Sequence, residues 1–238
     1  MRAEAQPGHS RSSLAAKRFH SDNNVLRPQQ AIDWLGSSRF QTYLEAVEGH
    51  HENAVALYNW NARISAAFLE VLCHLEVLVR NAVDRQFEAT DPATSLSIID
   101  SDVWLCDPAV LTPESRERVN EAIARLLRER KRPSRDRVVA SLSFGFWKSL
   151  FGSVYEELWR TTLFAAFPHG SGRRREVANL TGPILHFRNR IAHHEAIFSS
   201  DLEERHRQIL RLAGIIDPEA ERYIATLSRV ETLLPEMP

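Results

Sequence analysis

The chain contains few cysteines and few glycines. Of its 238 residues, two are cysteine and nine are glycine. Two unclustered cysteines, Cys73 and Cys106, argue against a disulfide framework and against a zinc ribbon. Cys73 lies in the apolar run AAFLEVLCHLEVLV and is predicted to pack as a small hydrophobic side chain. Sparse glycine, together with apolar residues spaced three and four apart, predicts an all-α protein.

Patterns typical of secretion or membrane insertion are also not found in the sequence, and we expect no such segment. The first residues, MRAEAQPGHSRSSLAAKRFHSDNN, contain no sustained apolar stretch and do not resemble a secretory signal. No run approaches the roughly 20 apolar residues that a membrane span requires. We therefore expect a cytoplasmic protein with no membrane partner. Residues 1–28 are polar and are predicted to form a disordered tail, which leaves residues 29–238 as a single domain.

Lysine is rare and the net charge is small. The formal net charge is −1 at pH 7, so the surface as a whole does not attract nucleic acid strongly. Only three of the 30 basic residues are lysine. The codon usage of a GC-rich genome explains this bias, and arginine also suits bidentate contacts with phosphate. Binding of nucleic acid would therefore depend on local basic clusters.

Hydrophobic spacing predicts helices in the first half of the chain. Apolar residues recur at helical intervals from about residue 30 to Val47. The next apolar series predicts one long core helix that ends near Phe87 and is preceded by a shorter helix. Asn59 and Asn61 are the candidates for the N-cap of the long helix. Residues 90–112 are predicted to form a loop.

Helices are also predicted throughout the second half. Thr112 is the expected N-cap of a helix with Pro113 at its first position, which should run until Pro133. The aromatic-rich segment that follows carries one or two more helices, with its rings in the core. A short helix is expected after the basic loop HGSGRRRE, then a helix bearing TGPILHFRNRIAHHEAIF. Two C-terminal helices are predicted near residues 201–214 and 217–233.

The stretch RNRIAHHE, Arg188–Glu195, concentrates polar and charged groups in a predicted helix. Positions four apart share a helix face, so Asn189 and His193 should lie together. The side chain of Arg188 can reach His193 from about one step round the helix. The opposite face is apolar and is predicted to lie in the core; it carries Ile184, Phe187 and Ile191.

These groups match the needs of a ribonuclease that uses no metal. An imidazole can take the proton of a ribose 2′-OH or give one to the 5′-oxygen leaving group. A guanidinium can neutralise charge that develops on the phosphoryl oxygens. The product would be a 2′,3′-cyclic phosphate, and DNA would resist cleavage because it lacks the 2′-OH. For the residues alone, a solvated helix face is the commoner explanation and cleavage of RNA is the alternative.

A metal site is a further alternative, and the spacing disfavours it. His193, His194 and Glu195 are consecutive, and consecutive helical residues point about 100° apart. They could not bind one ion without ligands from elsewhere in the chain. The spacing also differs from the helical H-E-x-x-H pattern. We therefore predict no metal ligand and no cofactor.

Arg188, Asn189 and His193 resemble the signature of HEPN domains. That signature is an arginine, then a polar residue that is often asparagine, then a histidine after a gap of four to six. His194 also satisfies the gap, so spacing alone does not settle the active histidine. The ending A-H-H-E resembles the Abi-like branch, which is linked to abortive phage infection, and there the motif histidine corresponds to His193.

Two further segments resemble the Abi-like branch and lie in the same order. Leu75–Val83, LEVLVRNAV, is similar to its first core helix, and Leu142–Phe151, LSFGFWKSLF, to its aromatic middle helix. The resemblance implies a HEPN-like helical bundle with additional helices. It also implies a metal-independent endoribonuclease that acts as a toxin or phage-defence effector, with an antitoxin as a further partner. Because some members lack nuclease activity, a non-catalytic interaction or RNA-binding module is the alternative.

The resemblance also implies a homodimer with a composite active site. Cleavage requires one group that removes a proton and another that donates one, and a two-fold axis beside the motif helix would bring His193 of both chains together. The arginines Arg188 and Arg190 would then be doubled at the axis. Glu76 and Glu195 are the carboxylates predicted to pair with them.

Glu76 has a second predicted interaction, because it lies four residues before Arg80 on the same helix and can pair with it. Alternatively, Glu76 could orient Arg188 or His193 from a neighbouring helix.

Basic clusters are the predicted binding surface for RNA, since arginine and lysine side chains can track a phosphate backbone. The first cluster is Arg128–Arg132, at the predicted end of a helix. An ordinary solvated helix end is an equal alternative for it, because basic side chains are favourable at a helix C-terminus. The predicted RNA-binding residues are Arg128, Arg130, Lys131, Arg132, Arg173, Arg174, Arg175 and Arg190.

Overall fold

A computed structural model describes residues 26–87 and 104–238, and these consist of helices and turns without a strand. The all-α prediction is confirmed. Residues 1–25 of the predicted tail and most of the predicted loop at 90–112 lie outside the described residues. The helices are α1 (Pro28–Leu35), α2 (Ser37–Ala46), α3 (His51–Asp84), α4 (Pro113–Arg128), α5 (Arg135–Ser141), α6 (Phe144–Ser149), α7 (Glu156–Thr161), α8 (Arg174–Ala192), α9 (Leu202–Ile216), α10 (Pro218–Leu227) and α11 (Val230–Leu233).

Helix α3 is the central element, and it is longer than predicted. Its 34 residues form one continuous helix, so the prediction of a shorter helix and a cap at Asn59 or Asn61 is wrong. Buried apolar residues recur along its whole length, which allows it to pack against α2, α6 and α8–α11. The side chain of Asn61 is buried and bonds to a distant loop instead of capping a helix.

Helix α8 carries the motif and also differs from its prediction. The short helix expected after the basic loop and the motif helix form one element of 19 residues. Ile184, Phe187 and Ile191 are buried, as their spacing predicts. Phe187 meets Phe68 of α3 edge to face, with ring centroids 4.8 Å apart. This aromatic contact fixes the motif helix against the central helix.

Helix α4 begins as predicted and ends early. The side chain of Thr112 accepts a hydrogen bond from the Ser115 amide at 3.3 Å, and Pro113 is the first helical residue. The helix ends at Arg128 instead of continuing to Pro133. Arg130 then adopts a positive φ of 56°, which turns the chain away from the helix axis.

The segments after α4 are more divided than the sequence suggests. The aromatic-rich stretch forms three short α-helices and two 3₁₀ turns. Most of its rings are buried, including Phe144, Phe146 and Trp147, but Phe164 is exposed. The second predicted C-terminal helix is broken at Ser228 into α10 and α11. Within the described ranges, none of the helices combines the length and apolar character that crossing a membrane requires.

Candidate active site

The motif histidines lie at the end of α8 and not within it. The helix ends at Ala192, and His193 is its C-cap. The His194 amide donates to the Ile191 carbonyl at 2.9 Å and the Glu195 amide to the Arg190 carbonyl at 3.0 Å. These two bonds form a Schellman turn with His194 at the position where glycine is preferred.

This turn changes the relation between the two histidines. His194 has a φ of +56°, in the left-handed region, so it leaves the helical path that the sequence predicted for it. Asn189 and His193 are both exposed and joined by the last helical hydrogen bond, 2.9 Å from the His193 amide to the Asn189 carbonyl. The predicted common face of Asn189 and His193 is therefore present, whereas His194 is directed elsewhere by its backbone.

Arg188 is held by a carboxylate from the central helix. Its Nε donates to Glu76 Oε1 at 3.0 Å, and both side chains are partly exposed. Among the described residues, no hydrogen bond engages the two terminal nitrogens of Arg188. The guanidinium is thus oriented at its inner edge, while its outer edge remains available to an anion.

The Arg188 contact decides between the two predicted partners of Glu76. The pairing with Arg80 on the same helix is wrong, since Arg80 instead donates to Asn81 Oδ1 at 3.3 Å and to the Ala140 carbonyl at 3.5 Å. The alternative, in which Glu76 orients Arg188 from a neighbouring helix, is the arrangement observed.

Arg190 stabilises the loop that follows the motif. Its Nε donates to Glu195 Oε2 at 3.0 Å and its Nη1 to Ser200 Oγ at 2.7 Å, while Nη2 donates to the Ala196 carbonyl. Both predicted carboxylate pairings, Arg188 with Glu76 and Arg190 with Glu195, are therefore made within one chain. Since all three nitrogens of Arg190 are engaged, this geometry disfavours its predicted contact with RNA.

Two residues outside the predicted site also hold the loop that follows the motif. Asn61 of α3 accepts from the Ile197 amide at 2.8 Å and donates to the Glu195 carbonyl at 3.3 Å. Arg39 of α2 donates from Nη1 to the His194 carbonyl at 2.7 Å. A polar residue on the buried face of a long helix was the available signal for Asn61. The sequence offered no comparable signal for Arg39.

Two clefts adjoin the Schellman turn at His193–Glu195, called the post-motif turn below. One, of about 660 Å³, lies between the start of α2 and the turn, and the other, of about 410 Å³, lies between α2 and α3. Arg39, Tyr43 and His194 line both clefts. His193 lines neither of them. The two neighbouring histidines therefore lie on different surfaces of the molecule.

Tyr43 is the most perturbed titratable group beside these clefts. Its side chain is 1% exposed, and burial raises its pKa to about 12, with Tyr58 adding to the effect and Arg39 opposing it. The phenol therefore stays protonated at neutral pH and can act only as a neutral hydrogen-bonding group.

The other predicted RNA-binding residues fall into two groups. Most are exposed, and Lys131 makes a 2.8 Å pair with Glu129. Arg174 differs, because its side chain is only 10% exposed and donates to Glu156 Oε2 at 2.6 Å and to the Phe151 carbonyl at 2.7 Å. Arg174 therefore anchors the start of α8 and is poorly placed for RNA. The exposed members are Arg128, Arg130, Lys131, Arg132, Arg173 and Arg175.

No cluster of three or more histidine, cysteine, aspartate or glutamate side chains within the described residues is arranged to hold a metal ion. Comparison of the chain with models of protein families, with curated proteins and with solved structures gave no match. The resemblance to HEPN domains therefore rests on the sequence itself, on the motif together with the segments Leu75–Val83 and Leu142–Phe151.

Proposed function

We propose that the protein is a metal-independent endoribonuclease of the HEPN type. The observation that carries this proposal is the Arg188–Glu76 pair, at 3.0 Å between residues 112 positions apart in the chain. It holds a guanidinium by its inner edge, one helical turn from His193, with its terminal nitrogens unengaged among the described residues. A bidentate contact with a phosphate group requires this presentation.

The proposed reaction is an internal transesterification of the RNA strand. The 2′-oxygen loses its proton to an imidazole and attacks the adjacent phosphorus. The bond from phosphorus to the 5′-oxygen breaks, and the 5′-oxygen takes a proton from a second acidic group. Arg188 stabilises the negative charge that grows on the phosphoryl oxygens. The products are a 2′,3′-cyclic phosphate and a 5′-hydroxyl, so no water and no metal is consumed.

A second copy of the chain would supply the second acid–base group. His193 is exposed on the motif face, where a partner could approach it. Leu69, Cys73 and Val77 form an exposed apolar stripe on α3, one residue from Glu76. Positions four apart share a helix face, so this stripe is continuous. We propose that it contributes to a homodimer interface beside the motif.

The biological role in this proposal is that of a toxin or phage-defence effector in the cytoplasm, with an antitoxin as a regulatory partner. It follows from the resemblance to the Abi-like branch. The second candidate function is a non-catalytic interaction or RNA-binding module. The observation that favours it is that, of the two histidines that satisfy the motif spacing, only His193 shares the face of Asn189, and one motif histidine is insufficient alone for acid–base cleavage.

The deciding experiment is a cleavage assay on total RNA and transfer RNA in the presence of a chelator. We expect the wild type to cut and to leave 2′,3′-cyclic phosphate ends. His193→Ala should abolish cleavage without lowering the melting temperature, because the side chain is exposed. Arg160→Ala is the matched control, since Arg160 is exposed on α7 and its partner among the described residues is Glu157. Binding of RNA without cleavage would support the non-catalytic module.

A further inference from the structure

We propose that the cleft between the start of α2 and the post-motif turn binds a backbone phosphate of the RNA strand. Its ligands are the Arg39 guanidinium, the Tyr43 hydroxyl and the first amides of α2. The inference rests on the proposed function, because it treats the cleft as the part of that site which holds the strand beside the scissile phosphate. Neither Arg39 nor Tyr43 belongs to the motif.

The start of α2 presents backbone donors to the cleft. Gly36, Ser37, Ser38 and Arg39 line it, and no side chain caps the helix. The first amides of a helix have no partner within that helix, and together with the helix dipole they favour a negative charge. Gly36 has a φ of +81° and nothing lies within 4 Å of the position that a Cβ would take. A phosphate group can therefore approach the amides closely.

Tyr43 provides an independent indication of a ligand. Only 1% of its surface is exposed, and it lines the cleft. Its hydroxyl makes no hydrogen bond to any part of the chain that the structure describes. The hydroxyl is the polar end of an otherwise buried ring and has no acceptor among the described residues, so a phosphoryl oxygen in the cleft would provide one. The high pKa of the phenol, about 12, keeps it available as a donor.

Arg39 connects the cleft to the motif. It donates from Nη1 to the His194 carbonyl at 2.7 Å, and the side chain has further donors to offer. A phosphate bound by Arg39 therefore lies beside the turn that follows His193. Glu195 is the acidic group that also lines this cleft, and its carboxylate is paired with Arg190 at 3.0 Å, which reduces its repulsion of an anion.

The test measures binding of a short RNA with 2′-O-methyl groups, which cannot be cleaved, by fluorescence anisotropy at several salt concentrations. Arg39→Gln should weaken binding by about tenfold or more and reduce the log–log salt slope by about 0.7. Tyr43→Phe should weaken binding by about threefold to tenfold with an unchanged slope, because it removes a neutral donor. Arg160→Gln and Tyr223→Phe are the matched controls, since both residues are exposed elsewhere.

A second arm replaces the RNA with inorganic pyrophosphate, detected by the shift in melting temperature that it causes. Binding of both probes, each weakened by Arg39→Gln and Tyr43→Phe, supports the proposal. Binding of pyrophosphate without RNA shows a site for free anions and overturns it. Equal binding by the variants and the wild type, or no binding by the wild type, also overturns it.

These outcomes are separate from those of the proposed function. If the wild type fails to cut RNA but both cleft variants lose affinity for the uncleavable strand, cleavage is wrong and the phosphate site stands. If the wild type cuts and both cleft variants bind as the wild type does, the phosphate site alone is wrong. Arg39→Lys controls for the bond to the His194 carbonyl, since it retains the charge and a donor; it should recover part of the affinity.

Discussion

Single residues at the end of α8 have distinct tasks. Glu76 orients Arg188, and the loop after the motif accepts hydrogen bonds from Arg190. His194 has a left-handed backbone conformation. Of the two motif histidines, only His193 shares the face of Asn189. The sequence places five polar residues within the seven positions from 188 to 194, and the structure separates them by their backbone conformation and partners.

The left-handed conformation of His194 predicts a stability effect. A residue with a Cβ costs about 1 kcal/mol or more in this region relative to glycine. We therefore expect His194→Gly to be more stable than His194→Ala by roughly 1 kcal/mol, measured by urea denaturation. Cleavage by His194→Gly should persist if the proposed assignment of His193 as the motif histidine is right. Complete loss of cleavage in the glycine variant would instead assign the catalytic role to His194.

The Glu76 carboxylate should matter through the orientation of Arg188. Glu76→Gln removes the charge from the 3.0 Å contact, and we expect kcat to fall about tenfold while the melting temperature changes little, since the pair is partly exposed. Glu70→Gln is the matched control, because Glu70 lies on the same helix and pairs with Arg229 at 2.9 Å. Similar kinetic effects of the two substitutions would contradict an orienting role for Glu76.

At the scale of elements, polar side chains on the helices form hydrogen bonds with segments that are remote in sequence. Asn61 of α3 fixes the loop after α8, and Asp84 at the end of α3 accepts hydrogen bonds from the buried Arg135 of α5 at 3.0–3.1 Å. His206 of α9 lies 2.8 Å from Ser228, where α10 and α11 are separated. These contacts link segments that are remote in sequence, so they set the relative positions of the helices.

The His206 contact predicts a dependence of stability on pH. Burial lowers the pKa of His206 from its ordinary 6.5, with Glu231 opposing the shift. Below pH 6.5 the unfolded chain binds a proton that the folded chain does not, so the free energy of unfolding falls as pH decreases. The slope from this group approaches 1.4 kcal/mol per pH unit between the two pKa values.

Urea denaturation at pH 7.5 and pH 5.5 measures this contribution. The loss of stability at the lower pH should be smaller in His206→Gln than in the wild type, because the variant has no imidazole to protonate. His169→Gln is the control, since His169 lies outside this contact. An equal loss in His206→Gln and the wild type would show that other groups cause the pH dependence.

At the scale of the whole molecule, an exposed apolar stripe on α3 is a surface that the described residues leave uncovered. It consists of Leu69, Cys73 and Val77, and Leu69 also lines the cleft that contains His194. The prediction that Cys73 packs in the core is wrong, since its side chain is exposed. Leu69 and Val77, four positions before and after Cys73, are apolar and suggested a buried face, whereas Glu70 and Glu76 at three positions on either side share the exposed face.

The proposed homodimer predicts that a charge in this stripe separates the subunits. Val77→Glu should give a monomer in sedimentation and lose cleavage, because an unpaired carboxylate would be buried in the interface. The matched control is Val154→Glu, since Val154 is 70% exposed on a different surface. A wild-type chain that sediments as a monomer and cuts RNA at full rate would contradict the composite site.

The sequence by itself determined the features that depend on neighbouring residues. Apolar spacing gave the all-α class and the buried face of α8, and Thr112 with Pro113 gave the start of α4. Each of these is decided within one or two helical turns, where side chains three and four apart meet. The motif residues could be selected for the same reason, because they are close together in the chain.

Tertiary structure alone decided how those residues are used. The pairing of Glu76 with Arg188, the bonds from Asn61 to the post-motif loop and the contact of Arg39 with the His194 carbonyl all join residues more than 100 positions apart. No local pattern specifies such contacts. They form because the apolar faces of α2, α3 and α8 pack together, and burial of those faces brings the polar side chains at their edges within hydrogen-bonding distance.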